Sequence, residues 1–166
     1  EAPYDARFRD MMVATMEHLM GCGFSVLYGY TQSDEMSLLF RRDESLFGRK
    51  LRKYTSVLAG EASAKFSLLL GDLAAFDCRI SELPTEARVV DYFRWRHEDA
   101  HRNALHGNCY WMLRAQGLGD REATGRLDGQ TMERRRELLL ENGIDFDALP
   151  AWQKRGVGLR WVNEPG

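Results

Sequence analysis

The sequence predicts an α+β fold, an antiparallel sheet covered on one face by helices, and three observations carry that expectation. Residues 24–41 read as strand, short polar break, strand. Apolar residues recur at helical spacing on either side of this hairpin. The elements follow in the order helix, two strands, helix, strand, helices, strand.

Taken in order, Asp5 to Met20 places Phe8, Met11, Met12, Thr15, Met16 and Leu19 on one helical face, and Gly21 to Gly23 stops the helix. Phe24 to Tyr30 and Met36 to Arg41 are the hairpin strands. A long helix is expected from about 47 to 70, basic in its first turns and then small and apolar at Val57, Leu58, Ala62, Phe66 and Leu69, with Gly71 ending it. A short strand is expected over 75–80, then a turn at Pro84. Residues 86–116 form a second long helix whose apolar stripe is Val89, Phe93, Ala100, Ala104 and Trp111. Shorter helices are expected at 120–127 and 131–141, the second closed by Asn142-Gly143, and a last strand at 157–162.

At 166 residues, 44% hydrophobic and 29% charged, the chain reads as one domain, without repeat, low-complexity tract or Pro/Gly-rich linker. No apolar run approaches the length of a membrane span, and Glu-Ala-Pro-Tyr-Asp-Ala-Arg at the start has no signal-peptide pattern. Cys22, Cys78 and Cys109 are odd in number, widely separated and in apolar surroundings. They are expected to be reduced, mostly buried thiols in a cytoplasmic protein, with no zinc spacing among them.

The net charge of −2 announces no polyanion partner, but the cations cluster. Arg41, Arg42, Arg49, Lys50, Arg52 and Lys53 face only Asp43 and Glu44 in the same stretch; Arg134 to Arg136 form a second cluster, and Lys154, Arg155 and Arg160 a third. Such clusters either solvate helix faces or focus potential on a phosphate-bearing partner.

The break in the hairpin carries two adjacent carboxylates, Asp34 and Glu35. They are either an ordinary solvated turn or a divalent-metal site of the kind that palm-type nucleotidyl transferases and cyclases present to a triphosphate. Hard oxygen ligands suit Mg²⁺, which binds through one or two carboxylates plus substrate phosphates. On the second long helix Arg96, Asp99 and Asn103 share one flank, while Arg94, His97, His101 and Asn108 share the other. That pattern suggests a helix beside a polar site, although Arg96 and Asp99 also have the spacing of an exposed ion pair. His97 and His101, with Glu98 between them, could share a metal at i,i+4, but no Cys is near in sequence. A histidine donating to a phosphate, or orienting a basic side chain, fits better.

Several segments carry a resemblance. Tyr30-Thr-Gln-Ser-Asp-Glu-Met-Ser37 is similar to a Gly-x-Gln-Ser-Asp-Glu-x-Ser segment, and Asp91-Tyr-Phe-Arg-Trp-Arg-His-Glu-Asp-Ala-His-Arg-Asn-Ala-Leu105 to an Asp-Tyr-x-x-Trp-Arg-x-x-Asp-x-His-x-Asn-x-Leu signature. Phe76-Asp-Cys-Arg79, Gly129 through Leu139 and Trp152-Gln-Lys154 align in order. Over nearly its whole length the chain resembles the tRNA-histidine guanylyltransferase family, 3′-to-5′ nucleotide-adding polymerases that extend or repair RNA 5′ ends. His106-Gly107, where eukaryotic members carry Tyr-Asn, looks closer to the prokaryotic-like branch.

The resemblance implies a polymerase-palm-like (ferredoxin-like) antiparallel sheet flanked by helices and a Mg²⁺-dependent nucleotidyltransferase using two ions. ATP would activate the tRNA 5′ phosphate, and the 3′-OH of GTP or another NTP would attack it. Asp34 and Glu35 become the expected metal ligands and Ser33 a phosphate contact. Lys50 and Lys53, with Arg49 and Arg41 behind them, become the triphosphate cradle, closing over the same phosphates as the acids. His101, Asn103 and Arg135 become RNA contacts, and a homotetramer is implied. The family's Arg-x-Asp-Gly-Arg-Gly-Phe-like segment, which supplies a further metal-binding Asp upstream of the first helix, is not in this sequence. The chain is therefore expected to be a single palm-like domain, 1–166, lacking that segment. The alternatives are a catalytically impaired palm-fold module that binds nucleotide or tRNA, and a nucleotide cyclase.

Overall fold

A computed structural model describes residues 3–162, so the outer bounds of the expected 1–166 domain lie outside the described residues. The chain divides into two compact units, one of Ala6–Pro84 with the segment from Val157 onward, the other of Thr85–Gly156 with the residues up to Asp5.

The first unit contains α1 (Ala6–Gly21), β1 (Val26–Gln32), β2 (Glu35–Phe40), a 3₁₀ turn (Leu46–Arg49), α2 (Leu51–Leu70) and β3 (Val157–Arg160). The strands form an antiparallel sheet in the order β2-β1-β3. Between β1 and β2 the register runs from Gln32 opposite Glu35 at the hairpin tip to Val26 opposite Phe40, with an irregularity between Val26 and Tyr28. Alternation puts Met36, Leu38 and Phe40 on one face, where they pack with Met16, Leu19 and Met20 of α1 and Tyr54, Leu58 and Ala62 of α2. The four-residue step Tyr54, Leu58, Ala62, Phe66 is the buried stripe of α2.

Both helices lie lengthwise along this face. Met11 and Met12 from early α1 share a cluster with Phe66 from late α2, beside Met36 near the tip. Leu19, Met20 and Tyr54 meet Phe24 and Phe40 at the other end. Gly29 makes the close approach of α1 possible, because a Cβ there would lie 2.8 Å from the Met16 Sδ and 2.9 Å from its Cγ.

The second unit contains α3 (Glu86–Ala115), α4 (Asp120–Leu127), α5 (Met132–Glu141) and α6 (Ala151–Arg155). Thr85 and Thr131 cap α3 and α5 by accepting the N–H of Arg88 and Arg134. Its core is Ala104, Leu105, Cys109, Met112 and Leu113 of α3 with Ala123, Leu127, Leu139 and Phe146.

Several expectations are corrected. Residues 75–80 keep the alternation of a strand, with Phe76, Cys78 and Ile80 half-buried, but pair with no strand among the described residues. Hydroxyls on α2 take the ladder's place: Ala74 N–H donates to Ser67 Oγ and Phe76 N–H to Ser63 Oγ, both at 2.9 Å. The helix expected from 47 begins only at Leu51, because Phe47, Gly48 and Arg49 are all left-handed, with φ of 52°, 60° and 56°. Trp111 is 45% exposed, since the α3 core face turns to Leu105, Asn108, Cys109 and Met112. The short helix α6 precedes β3, which ends at Arg160 and not at 162. All three thiols are free, but only Cys109 is fully buried, and burial lifts it to about 11.

Gly29→Ala should lower stability by about 1–3 kcal/mol, because the added methyl overpacks a fully buried methionine. Met16→Ala in the same chain should make Gly29→Ala nearly neutral; a double-mutant cycle in denaturant checks this.

Candidate active site

The hairpin tip is a two-residue loop, Ser33-Asp34, closed by the Gln32–Glu35 pair. Ser33 adopts φ 54°, the left-handed region that tight hairpin loops demand. Thr31 Oγ1 donates to the Glu35 carbonyl at 2.9 Å and fixes the base of the loop. Ser33, Asp34 and Glu35 are exposed, and alternation puts the Glu35 side chain on the sheet face opposite Met36 and the helices. Two adjacent carboxylates on a rigid loop are a donor set for one hard divalent cation completed by phosphates and water. Among the described residues, no group of three or more His, Cys, Asp or Glu side chains converges to hold a metal.

The basic turn lies at the other end of the hairpin. Arg41 N–H donates to the Ser25 carbonyl at 2.8 Å, so the chain leaves β2 beside the start of β1. Five steps of β2 at about 3.4 Å put this end roughly 17 Å from the tip. Lys50 then sits at the head of α2 and Lys53 one turn on, both exposed, with Lys53 Nζ 5.8 Å from the Phe47 ring centroid. The expectation that these lysines close over the same phosphates as Asp34 and Glu35 is corrected: β2 carries the chain away from the tip before α2 begins. Arg41 is held by Asp43 in a two-bond pair at 2.9 Å, which raises the arginine and lowers the aspartate. Arg49 donates to the carbonyls of Arg42 and Glu44 at 3.0 and 3.1 Å.

The residue that binds this turn together is Glu44, which the sequence offered only as one acid among cations. Its carboxylate is buried and accepts the backbone N–H of Ser25 and, at 2.6 Å, that of Leu46. These two bonds hold its carboxyl below the ordinary glutamate value.

In the second unit, His101 Nε2 meets the Arg136 guanidinium at 2.9 Å. Arginine can only donate, so Nε2 accepts and the proton rides on Nδ1, a buried donor without a partner in this structure. Burial, then Arg155 and Arg136, hold His101 below its ordinary value against the opposing pull of Asp147. Arg136 also donates to both Asp147 oxygens, and Lys154 to the Asp147 carbonyl. Asn103 is exposed and donates to Asp99 at 3.2 Å, next to an Arg102–Asp99 pair. The Arg96–Asp99 pairing gives way to this one; Arg96 is buried, with its guanidinium 5.2 Å from the Trp95 ring centroid. Arg135 is half-buried and donates to the Leu127 carbonyl, so of the three neighbouring arginines it is Arg136 that joins the histidine. The signal for Arg136 was its place in a basic cluster, which by itself does not say which member faces inward.

Glu44 also sets a pH dependence. A carboxyl whose folded pKa is depressed contributes stability that is present above its unfolded value of 4.5 and is lost as pH falls through the folded value. The stability gap between the protein and Glu44→Gln should therefore be full at pH 7 and shrink below pH 4.5, as read by urea denaturation across that range.

The fold places the chain among α+β proteins, and comparison with known sequences narrows the class. The family model for tRNAHis guanylyltransferase matches residues 1–84, and the model for the Thg1 C terminal domain matches residues 87–165. The chain belongs to the tRNA(His) guanylyltransferase family. It is 33% identical over 170 residues to a tRNA(His) guanylyltransferase of Debaryomyces hansenii, covering 95% of this chain and 64% of the relative. It is 30% identical over 169 residues to a probable tRNA(His) guanylyltransferase of Drosophila melanogaster, covering 96% of this chain and 59% of the relative. It thus spans less than two thirds of the length of these relatives.

Among solved structures, the Saccharomyces cerevisiae tRNA(His) guanylyltransferase shares the fold, with a TM-score of 0.88 at 24% identity over 95% of this chain and 75% of that one. A bacterial guanylyltransferase-like protein in complex with ATP superposes with a TM-score of 0.83 at 28% identity, covering 96% of this chain and 71% of that one. No described helix is long and apolar enough to cross a membrane.

Proposed function

We propose that this chain is the palm-like catalytic part of a nucleotidyltransferase that adds nucleotides to the 5′ end of tRNA, by guanylate addition to tRNA-His or by 5′-end repair. One observation carries the reading: in a chain of this family, two adjacent carboxylates occupy a two-residue hairpin tip whose register and backbone are fixed on both sides. The names of its relatives and the ATP complex of a bacterial one support it.

In the first step the tRNA 5′ phosphate attacks the α-phosphorus of ATP and pyrophosphate leaves. In the second, the 3′-OH of GTP or another NTP attacks the activated 5′ phosphorus, and AMP leaves. Asp34 and Glu35 would hold magnesium, which when bound neutralises phosphate charge and activates the attacking hydroxyl. The pair furnishes protein ligands for one ion; the second ion of a two-metal site would take its remaining donors from phosphates, water or groups outside the described residues. Ser33, left-handed at the tip, presents its hydroxyl to a phosphate oxygen. Lys50 and Lys53 bind a phosphate group other than the one at the tip, helped by a helix start without a side-chain cap. Arg41 and Arg49 join them only by leaving Asp43 and the carbonyls they now hold.

In the second unit, the buried Nδ1–H of His101 reaches an RNA phosphate only when the side chains covering it move, with Arg136 and Lys154 supplying charge beside it, while Asn103 and Arg135 complete the RNA surface. A homotetramer belongs to the same proposal, as does a cytoplasmic setting, which the three free thiols favour.

Asp34→Ala should reduce ATP-dependent transfer of labelled GTP to 5′-monophosphorylated tRNA by at least about a thousandfold without changing the fold. A full-length protein that binds tRNA in a salt-sensitive way but never transfers label would be a binding module instead. A cyclic product from ATP or GTP alone would indicate a cyclase. Ser33→Gly suits the left-handed backbone, so it should keep stability within about 1 kcal/mol while slowing transfer roughly tenfold, separating the hydroxyl's role from the loop's.

A further inference from the structure

We infer that Glu44 is a positioning residue for the lysines at the head of α2, a role that rests on reading Lys50 and Lys53 as phosphate ligands. Phe47, Gly48 and Arg49 are left-handed in succession, and two of the three carry side chains that disfavour that backbone. Such a run persists only where its surroundings hold it, and here they do so from both ends. The Glu44 carboxylate takes the N–H of Leu46, one residue ahead of the run, and the N–H of Ser25, where β1 begins. The Arg49 guanidinium, at the far end of the run, reaches back to the carbonyls of Arg42 and Glu44. Gly48 N–H closes onto the Ser45 carbonyl at 2.9 Å, and the Phe47 ring lies edge-on to Phe24, 6.1 Å between centroids.

The consequence falls on the lysines. The left-handed run makes Lys50 the cap of α2, so the helix starts at Leu51 and not four residues earlier, and the direction of both lysine side chains follows from that start. Glu44 is an acid in a strongly basic stretch, yet each of its oxygens accepts a backbone N–H, one from Ser25 and one from Leu46. Among the described residues Lys50 and Lys53 form no ion pair with an acid, which leaves their charge for a ligand. A carboxylate suits this task and an amide does not. Two backbone donors need two acceptors, and the NH₂ of a glutamine would point at one of them.

The test uses inorganic tripolyphosphate as probe, titrated by calorimetry into the full-length protein, alongside nucleotide kinetics. Lys50→Ala with Lys53→Ala should lose the binding. Glu44→Gln should weaken it roughly tenfold, the scale of a modest misplacement of charged ligands, and should raise KM for nucleotide while leaving kcat at saturation unchanged. Glu44→Asp should recover part of the loss. Arg49→Ala, which removes the other tie without leaving a buried donor opposed to a donor, should weaken tripolyphosphate binding in the same direction and guards against a Glu44→Gln variant that does not fold. Loss of binding in the double lysine variant with wild-type binding in both Glu44→Gln and Arg49→Ala would overturn this inference alone. Binding that is absent, or indifferent to the double lysine substitution, would overturn the phosphate-ligand reading together with it.

Discussion

The antiparallel ladder between β1 and β2 is the constraint on which the first unit depends. Gln32 opposite Glu35 leaves room for only Ser33 and Asp34 at the tip, and the same register sends Met36, Leu38 and Phe40 toward the helices. A slip of one residue would move all three apolar side chains to the other face and carry Glu35 with them. The core therefore guards the position of the acids: burying the hydrophobic face and presenting the carboxylates are one choice of register. Gly29 belongs to the same constraint, since it lets Met16 press against the middle of β1 and locks helix to strand where no larger residue fits.

That ladder also separates charge. The carboxylates sit at one end of β2 and the cationic turn at the other, too far apart to share one triphosphate. A separation of this size fits the proposed function, in which a nucleotide's phosphates and a polynucleotide's would be bound at different points. The second unit has its own concentration of positive potential, where Arg136, Lys154 and Arg155 surround a histidine that they help to keep neutral. A neutral imidazole with its proton on Nδ1 is a hydrogen-bond donor that adds no repulsion to cations already present.

Much of this was legible in the sequence wherever a single period governs a segment. Leu58, Ala62 and Phe66 along α2 and the Met11-Met12-Thr15-Met16-Leu19 face of α1 are local statements and are buried as read, while Val57 and Leu69 are half-buried and Tyr54 completes the α2 stripe. The hairpin was legible because two apolar runs flank a polar break, and the acids at its tip follow directly. The failures share a physical cause, dependence on a distant partner. Residues 75–80 alternate like a strand, but whether an alternating segment joins a ladder is decided by what lies beside it, here the hydroxyls of Ser63 and Ser67. Trp111 fits an apolar stripe only if the long helix α3 buries the same face throughout its length, and it does not. Arg135 and Arg136 are equivalent in composition; the rotation of α5 assigns one to a carbonyl and the other to His101. Glu44 carried no signal at all, because a buried carboxylate serving two backbone donors looks in sequence like any charge among charges.

Manganese(II) with ATP, added to the isotope-labelled protein, would report the placement of the metal most directly through its paramagnetic broadening of assigned amide signals. Metal ligation by Asp34 and Glu35 requires the strongest broadening across residues 32–36, with the amides of 44–53 largely spared by the length of β2. Broadening centred on 44–53 with the hairpin tip unaffected would contradict it.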